Sequence, residues 1–317
     1  MKRRGQITAV TFCRGITFAA LLGLVACDLP LPVQPVLTPQ ARPASLPAPG
    51  SGVRPTSTES AALRSYLVQV QTAQLNQGLL RQDGGGPDTP VTADMLARNF
   101  TDIVFYNEYN ENLSGRGGKS PLRRWKAPVR MEVIFGASVP PSLQKADESA
   151  VRQYASRLSR LTGHPITTSG KPNFLVIIAG EDDRGELLDQ IPTLLPGISP
   201  RSLNALRDLR RDTYCLVSAY PSASDASTYT AAFAIIRAEN PDLLRLACIH
   251  EELAQGLGLA NDSPDARPSI FNDDDEFALL TDHDELLLKM LYDRRLKPGM
   301  SAEGAAPILR TIAKELK

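Results

Sequence analysis

Six apolar residues follow one another without a break at Phe174-Leu175-Val176-Ile177-Ile178-Ala179, between Asn173 and Gly180. Successive side chains of a strand point to opposite faces. An unbroken apolar strand therefore needs cover on both faces, as in a sheet with helices packed over it. The segments around it fit that requirement. "VRMEVIFG" (129–136) alternates as a strand, "DESAVRQYASRLSRLTG" (147–163) has helical spacing, and "HPITTS" (164–169) reads as a short strand. Residues 181–211 read as an irregular helical insertion. "TYCLVSAYP" (213–221) and "YTAAFAIIRAE" (229–239) then read as two more strands. Two helices precede this set, over 59–82 and from Thr92 as N-cap to Tyr109. Three follow it, over 239–259, 282–293 and 305–317. The order predicts one mixed α/β (α+β) domain over 58–317, with an N-terminal helical part over 58–125, a twisted sheet, a central helix and C-terminal helices.

The first 27 residues have the layout of an export signal. "MKRRGQ" is a basic start, and "ITFAALLGLVAC" is an apolar run ending on a small residue and a cysteine. Leu24-Val25-Ala26-Cys27 resembles the bacterial lipobox, which implies a lipidated Cys27 as mature N-terminus, membrane attachment and a periplasm-facing chain in the cell envelope. An ordinary secretory signal or a short membrane anchor is the other reading. Asp28 resembles an inner-membrane retention signal. Residues 28–57 carry eight prolines and read as an extended tether, unable to bury a core.

Thirty-five Lys and Arg balance thirty-five Asp and Glu, so no global field favours nucleic acid. Of four cysteines, Cys13 and Cys27 lie in the signal. Cys215 and Cys248 remain, an even pair in an oxidising compartment. They read as a disulfide, or as two buried thiols.

The stretch with chemical content is Cys248–Asp262, "CIHEELAQGLGLAND". Asn240 reads as a helix cap, with Pro241 at the first helical position; Gly256 and Gly258 read as the end. Leu246, Ile249, Leu253 and Leu257 make the expected buried stripe, while Glu251 and Gln255 share another face. A zinc-peptidase helix needs two His at i and i+4 with a Glu between. From His250 the i+4 residue is Ala254, so that frame fails. One residue later, H-E-x-x-H-x-x-G-x-x-H aligns with Glu251, Glu252, Gln255, Gly258 and Asn261. The downstream "SIFN" (269–272), "LTDHD" (280–284) and "LYD" (291–293) sit where the same enzymes have their turn and following helix.

On these residues the chain resembles the metzincin peptidases, their matrixin branch above all, over 129–293. The stretch 93–300 is also similar to a bacterial family without an assigned activity, marked by His-Glu-Glu, a Gln, Leu-Gly-Leu and Asn-Asp. The metzincin resemblance implies a cleft beside the central helix, with substrate adding antiparallel to the edge strand "TYCLVSAYP". It also implies Glu252 as general base in an active enzyme. The departures are specific. Glu251, Gln255 and Asn261 occupy the three zinc-ligand positions, and Phe271 replaces the turn methionine. Neutral Gln and Asn oxygens suit zinc poorly.

Three readings follow. The first is a zinc-less, non-catalytic binding domain taking a peptide or envelope partner, with no cofactor. The second is an atypical metal-dependent hydrolase in which His250, Glu251, Glu252, Asp262 or His283 builds a different site. The third is a structural envelope lipoprotein. Glu251, Glu252 and Gln255 are also expected to hydrogen-bond the loop "NDSPDARPSIFN" and hold it closed. His250 reads as a satisfied helix histidine, and His283 as a helix-opening residue that caps or is solvated. "NDDDE" (272–276) reads as a solvated acidic loop, calcium being the alternative. Its spacing lacks a calcium loop's glycine turn. "GGKS" (117–120) lacks the strand and the earlier glycine of a phosphate loop. Trp125 is expected in the core.

Overall fold

The computed structural model describes residues 56–108, 117–196, 198, 200–207, 209–272 and 274–317. The export signal, Cys27, Asp28 and nearly all of the proline-rich tether lie outside the described residues. No helix among the described residues is long and apolar enough to cross a membrane. Gly50–Lys317 forms one compact unit.

The protein is mixed α/β. Two helices come first, α1 (Thr58–Asn76) and α2 (Ala93–Val104). Ser57 and Thr92 cap them by accepting the Ser60 and Met95 N–H groups, which the helix itself leaves unpaired. The strands are β1 (Arg124–Trp125), β2 (Val129–Phe135), β3 (Ile166–Thr167), β4 (Phe174–Ala179), β5 (Cys215–Ser222) and β6 (Asp225–Arg237). Helix α3 (Pro141–Thr162) crosses between β2 and β3, and α4 (Glu181–Leu194) and α5 (Pro200–Arg207) form the insertion. The central helix is α6 (Asp242–Gln255), followed by α7 (Asp282–Leu291) and α8 (Ala302–Leu316).

β2 lies between β3 and β4, and β4 pairs with β6, all in parallel register. β6 is long. Its first part carries β1 at Thr228 and Tyr229, and its second part carries β4 at Ala232–Arg237. β5 pairs along the opposite side of β6 and is the only antiparallel strand among the described residues. No described strand lies beyond it.

β4 is buried at all six positions, as its composition requires. Phe174, Val176 and Ile178 join the larger core with α6, α3, α2, α7 and α8. Leu175, Ile177 and Ala179 join a second core under the insertion, with Leu188, Ile191, Leu203 and Leu206. The insertion therefore covers a face of the sheet. Trp125 is buried and donates its indole N–H to the Gly256 carbonyl, 2.8 Å away, which ties the short β1 to the end of α6.

Several local expectations shift. α3 begins at Pro141, so Asp147 is two turns inside it rather than at its start; there it is buried and holds Arg245 of α6 at 2.8 Å. Asn240 does not cap α6. Pro241 occupies the cap position without a side-chain bond, and the Asn240 amide donates instead to the Tyr214 carbonyl ahead of β5. Leu246 is half-buried, whereas Ile249, Leu253 and Leu257 are fully buried. His283 is neither solvated nor the helix cap. It is fully buried against the Asn99 amide of α2, and Thr281 caps α7 in a reciprocal capping box with Asp284.

Candidate functional site

The start of β5 and the face of α6 that carries Leu244, Cys248, Glu251, Glu252 and Gln255 form two walls of a cavity of about 320 Å³. The position of β5 depends on the end of β6. Arg237 is 1% exposed and unusually well bound. Its guanidinium donates to the Thr213, Leu209 and Arg210 carbonyls and pairs with Glu181. These bonds return the chain from the insertion into β5 at one fixed place. Cys215 and Cys248 then join strand to helix through a disulfide, with Cα atoms 5.9 Å apart. A third wall comes from the loop after α6. The buried Asp284 carboxylate accepts the Ser269 hydroxyl at 2.6 Å and the Ile270 and Thr281 N–H groups at about 3 Å, and so holds Ile270 against the cavity.

Glu251, Glu252, Gln255 and Asp262 all line this space, together with Glu108 from beyond α2 and with Asp212 and Asp275. No lysine or arginine is among the described lining residues. Glu252 is 4% exposed, and its Oε2 has no hydrogen-bond partner among the described residues. Burial, followed by the charges of Glu251, Glu108 and Asp262, pushes its carboxyl well above the ordinary carboxylate range. Gln255 bridges to Asp262, its amide 3.1 Å from Oδ1. This bond ties α6 to the following loop, one contact of the network expected from Glu251, Glu252 and Gln255.

The remaining sequence candidates lie elsewhere. His250 faces away from the cavity. Its ring stacks on Tyr154 with centroids 4.1 Å apart, and its Nδ1 accepts the Leu280 N–H at 3.0 Å. Burial and then the nearby Arg157 push it down to about 3, so it stays neutral. The Asn261 amide donates to the Asp102 carbonyl of α2 at 2.9 Å, and Asn261 does not line the cavity. His283 lies under α2. In the acidic loop, with Asp273 outside the described residues, Glu276 pairs with Arg81 and Arg267, and Asp275 accepts from Gln74.

The chemistry of the donor set is that of a cation site without a complete metal shell. One oxygen each of Glu251 and Glu252 lies within 4.8 Å of the other and of Cys215 Sγ. The sulfur is spent in the disulfide and offers no thiolate. Two carboxylates alone fall short of the ligand count that calcium or zinc requires. Sequence reasoning missed Glu108 and Asp212, and read Asp275 only as part of the acidic loop 272–276. They reach the cavity from three separate segments.

No curated protein and no solved structure matches the chain. A family model does match, over residues 93–311, a span that includes every cavity-lining residue except Leu80. On that match the chain belongs to the family described as "Protein of unknown function (DUF2927)".

Proposed function

We propose that this chain is a non-catalytic, lipid-anchored periplasmic binding module whose metzincin-like cleft takes an extended peptide segment of an envelope partner. The peptide adds as a further strand to β5. The observation that carries this reading is the outer edge of β5 beside the cavity, which no described strand pairs. Tyr214 accepts the Arg237 N–H at 3.1 Å. The antiparallel alternation therefore turns Leu216 and Ser218 toward β6 and the backbone groups of Cys215, Val217 and Ala219 outward. An outward row of N–H and C=O groups is a template for strand addition. Register shifts around Pro221 end the regular edge, so the usable stretch is the one next to the cavity. The loss of zinc-ligand histidines supports a binding role. Lipidation at Cys27 supplies the membrane anchor in this reading, and Asp28 favours the inner membrane.

One observation favours a second reading, an atypical hydrolase. Glu251 and Glu252 are neighbouring carboxylates in one cavity, an arrangement that separates proton affinities into an acid and a base.

Val217→Pro tests the proposal. Proline removes an outward N–H that β6 does not use, and edge strands tolerate it. The full chain in detergent is titrated with fluorescent eight-residue extended peptides of randomised sequence, and the bound pool is recovered. Wild type is expected to retain peptides and the folded proline variant to lose them at least tenfold. Equal retention by the two, or none by wild type, would refute strand addition. Release of cleaved peptides would favour the hydrolase.

A further inference from the structure

The open edge accounts for backbone recognition and leaves the cavity itself without an occupant. Its chemistry is asymmetric. Part of the lining is acidic, formed by Glu108, Glu251, Glu252 and Asp262. Leu216, Leu244, Ala247, Ile270 and Phe277 add apolar surface. Glu252 is the decisive group. A carboxyl oxygen shielded from water without a hydrogen bond is costly, and structures keep such groups where something else completes them. An anion is excluded by the surrounding carboxylates, and a purely apolar group would leave the crowded Glu252 carboxyl without a counter-charge. The volume of about 320 Å³ is at the small end of ligand pockets, which run from roughly 300 to 1,000 Å³. It has room for a long side chain. Thr213, Tyr214, Cys215 and Leu216 line the cavity and also begin the open edge, so a strand laid along β5 passes its mouth.

We propose that the cavity is a specificity pocket for a basic side chain, lysine or arginine, of the bound peptide, with its stem on the apolar wall and its cationic head at Glu252. This rests on the strand-addition reading for how the side chain arrives. Ionised Glu252 is the form that pairs with the head, so the bound state takes up the cation and gives the carboxyl proton to solvent. Glu251, Glu108 and Asp262 face Glu252 from α6, from beyond α2 and from the loop after α6. Their charge favours the cation before and after that proton leaves.

The test uses the full chain in detergent, with two peptide pools identical except for one fixed position, lysine or norleucine. In parallel, n-butylammonium and n-butanol serve as bare head-group probes. The lysine pool is expected to bind at least tenfold tighter than the norleucine pool. Glu252→Gln should remove that preference, as should Asp262→Asn in part. Calorimetry of the wild type at pH 7 in two buffers of different ionisation heat should show proton release on lysine binding, absent in Glu252→Gln. Equal binding of the two pools would overturn the basic pocket and leave strand addition standing. Binding of n-butylammonium but of neither pool would keep the cation site and overturn strand addition. No discrimination between n-butylammonium and n-butanol, with neither pool bound, would overturn both.

Discussion

Replacing Glu252 by glutamine gives the sharpest check on the electrostatics of the cavity. In the unfolded chain Glu252 ionises near the ordinary value of about 4.3. In the folded chain burial and three neighbouring carboxylates hold it protonated well above that. A group whose folded pKa is raised in this way costs nothing below its unfolded pKa. Above it, the unfolded chain releases a proton that the folded chain keeps. Stability then falls as pH rises, by about 1.4 kcal/mol for each pH unit over which only the unfolded chain is ionised. Glutamine has the same size and no proton to lose, so this cost disappears. The variant and wild type should melt together near pH 4.5, and the variant should gain progressively above it. At about 2–4 °C per kcal/mol for a domain of this size, the gap should widen by about 3–6 °C per pH unit until folded Glu252 ionises. Thermal unfolding followed by circular dichroism between pH 4.5 and 8.5 reads this directly. A gap that stays constant with pH, or a wild type that gains on the variant at pH 8, would refute the protonated, crowded carboxyl.

Three further outcomes follow from other parts of the fold. Cys215→Ser with Cys248→Ser opens a loop with a sequence separation of 33 and should cost about 3–4 kcal/mol in urea unfolding, with unchanged near-native helix content. His250→Ala removes the Tyr154 stack and leaves the Leu280 N–H without its acceptor; it should cost about 2–4 kcal/mol and leave peptide affinity of the folded protein unaltered. Gly258 has φ +128°, and a Cβ there would sit 2.4 Å from the Arg123 carbonyl oxygen, so Gly258→Ala should cost at least about 2 kcal/mol in the same unfolding assay.

The fold class was legible because its signals are local. The apolar run Phe174–Ala179 demanded a sheet with two covered faces, and two packed cores cover it. Thr92 and Gly163 stand at helix ends as their chemistry predicts, Thr92 accepting the Met95 N–H and Gly163 at φ +65°. Spacing along one helix also placed Glu251, Gln255 and Cys248 on neighbouring positions of a shared face. Where local rules competed with distant partners, they lost. Asp147 looked like a helix-start residue and is a buried counter-ion for Arg245. Asn240 had the composition of a cap and holds Tyr214 instead. Asn261 shares the spacing of the cleft residues, yet the turn after Gly258 carries it to α2.

Apart from the two-residue β1, the sequence by itself determined the order of elements, the covered strand, the central helix and the pairing partners available to its cysteines, because periodicity, turn residues and a count of two are properties of the chain. Only the tertiary structure decided which carboxylates share a cavity. Glu108, Asp212 and Asp275 join Glu251 and Glu252 through the packing of four separate segments. The same packing turned His250 inward against Tyr154 and left the outer edge of β5 without a described strand beside it. A local pattern sets which face of a helix a residue occupies. What that face meets depends on contacts between residues far apart in the chain.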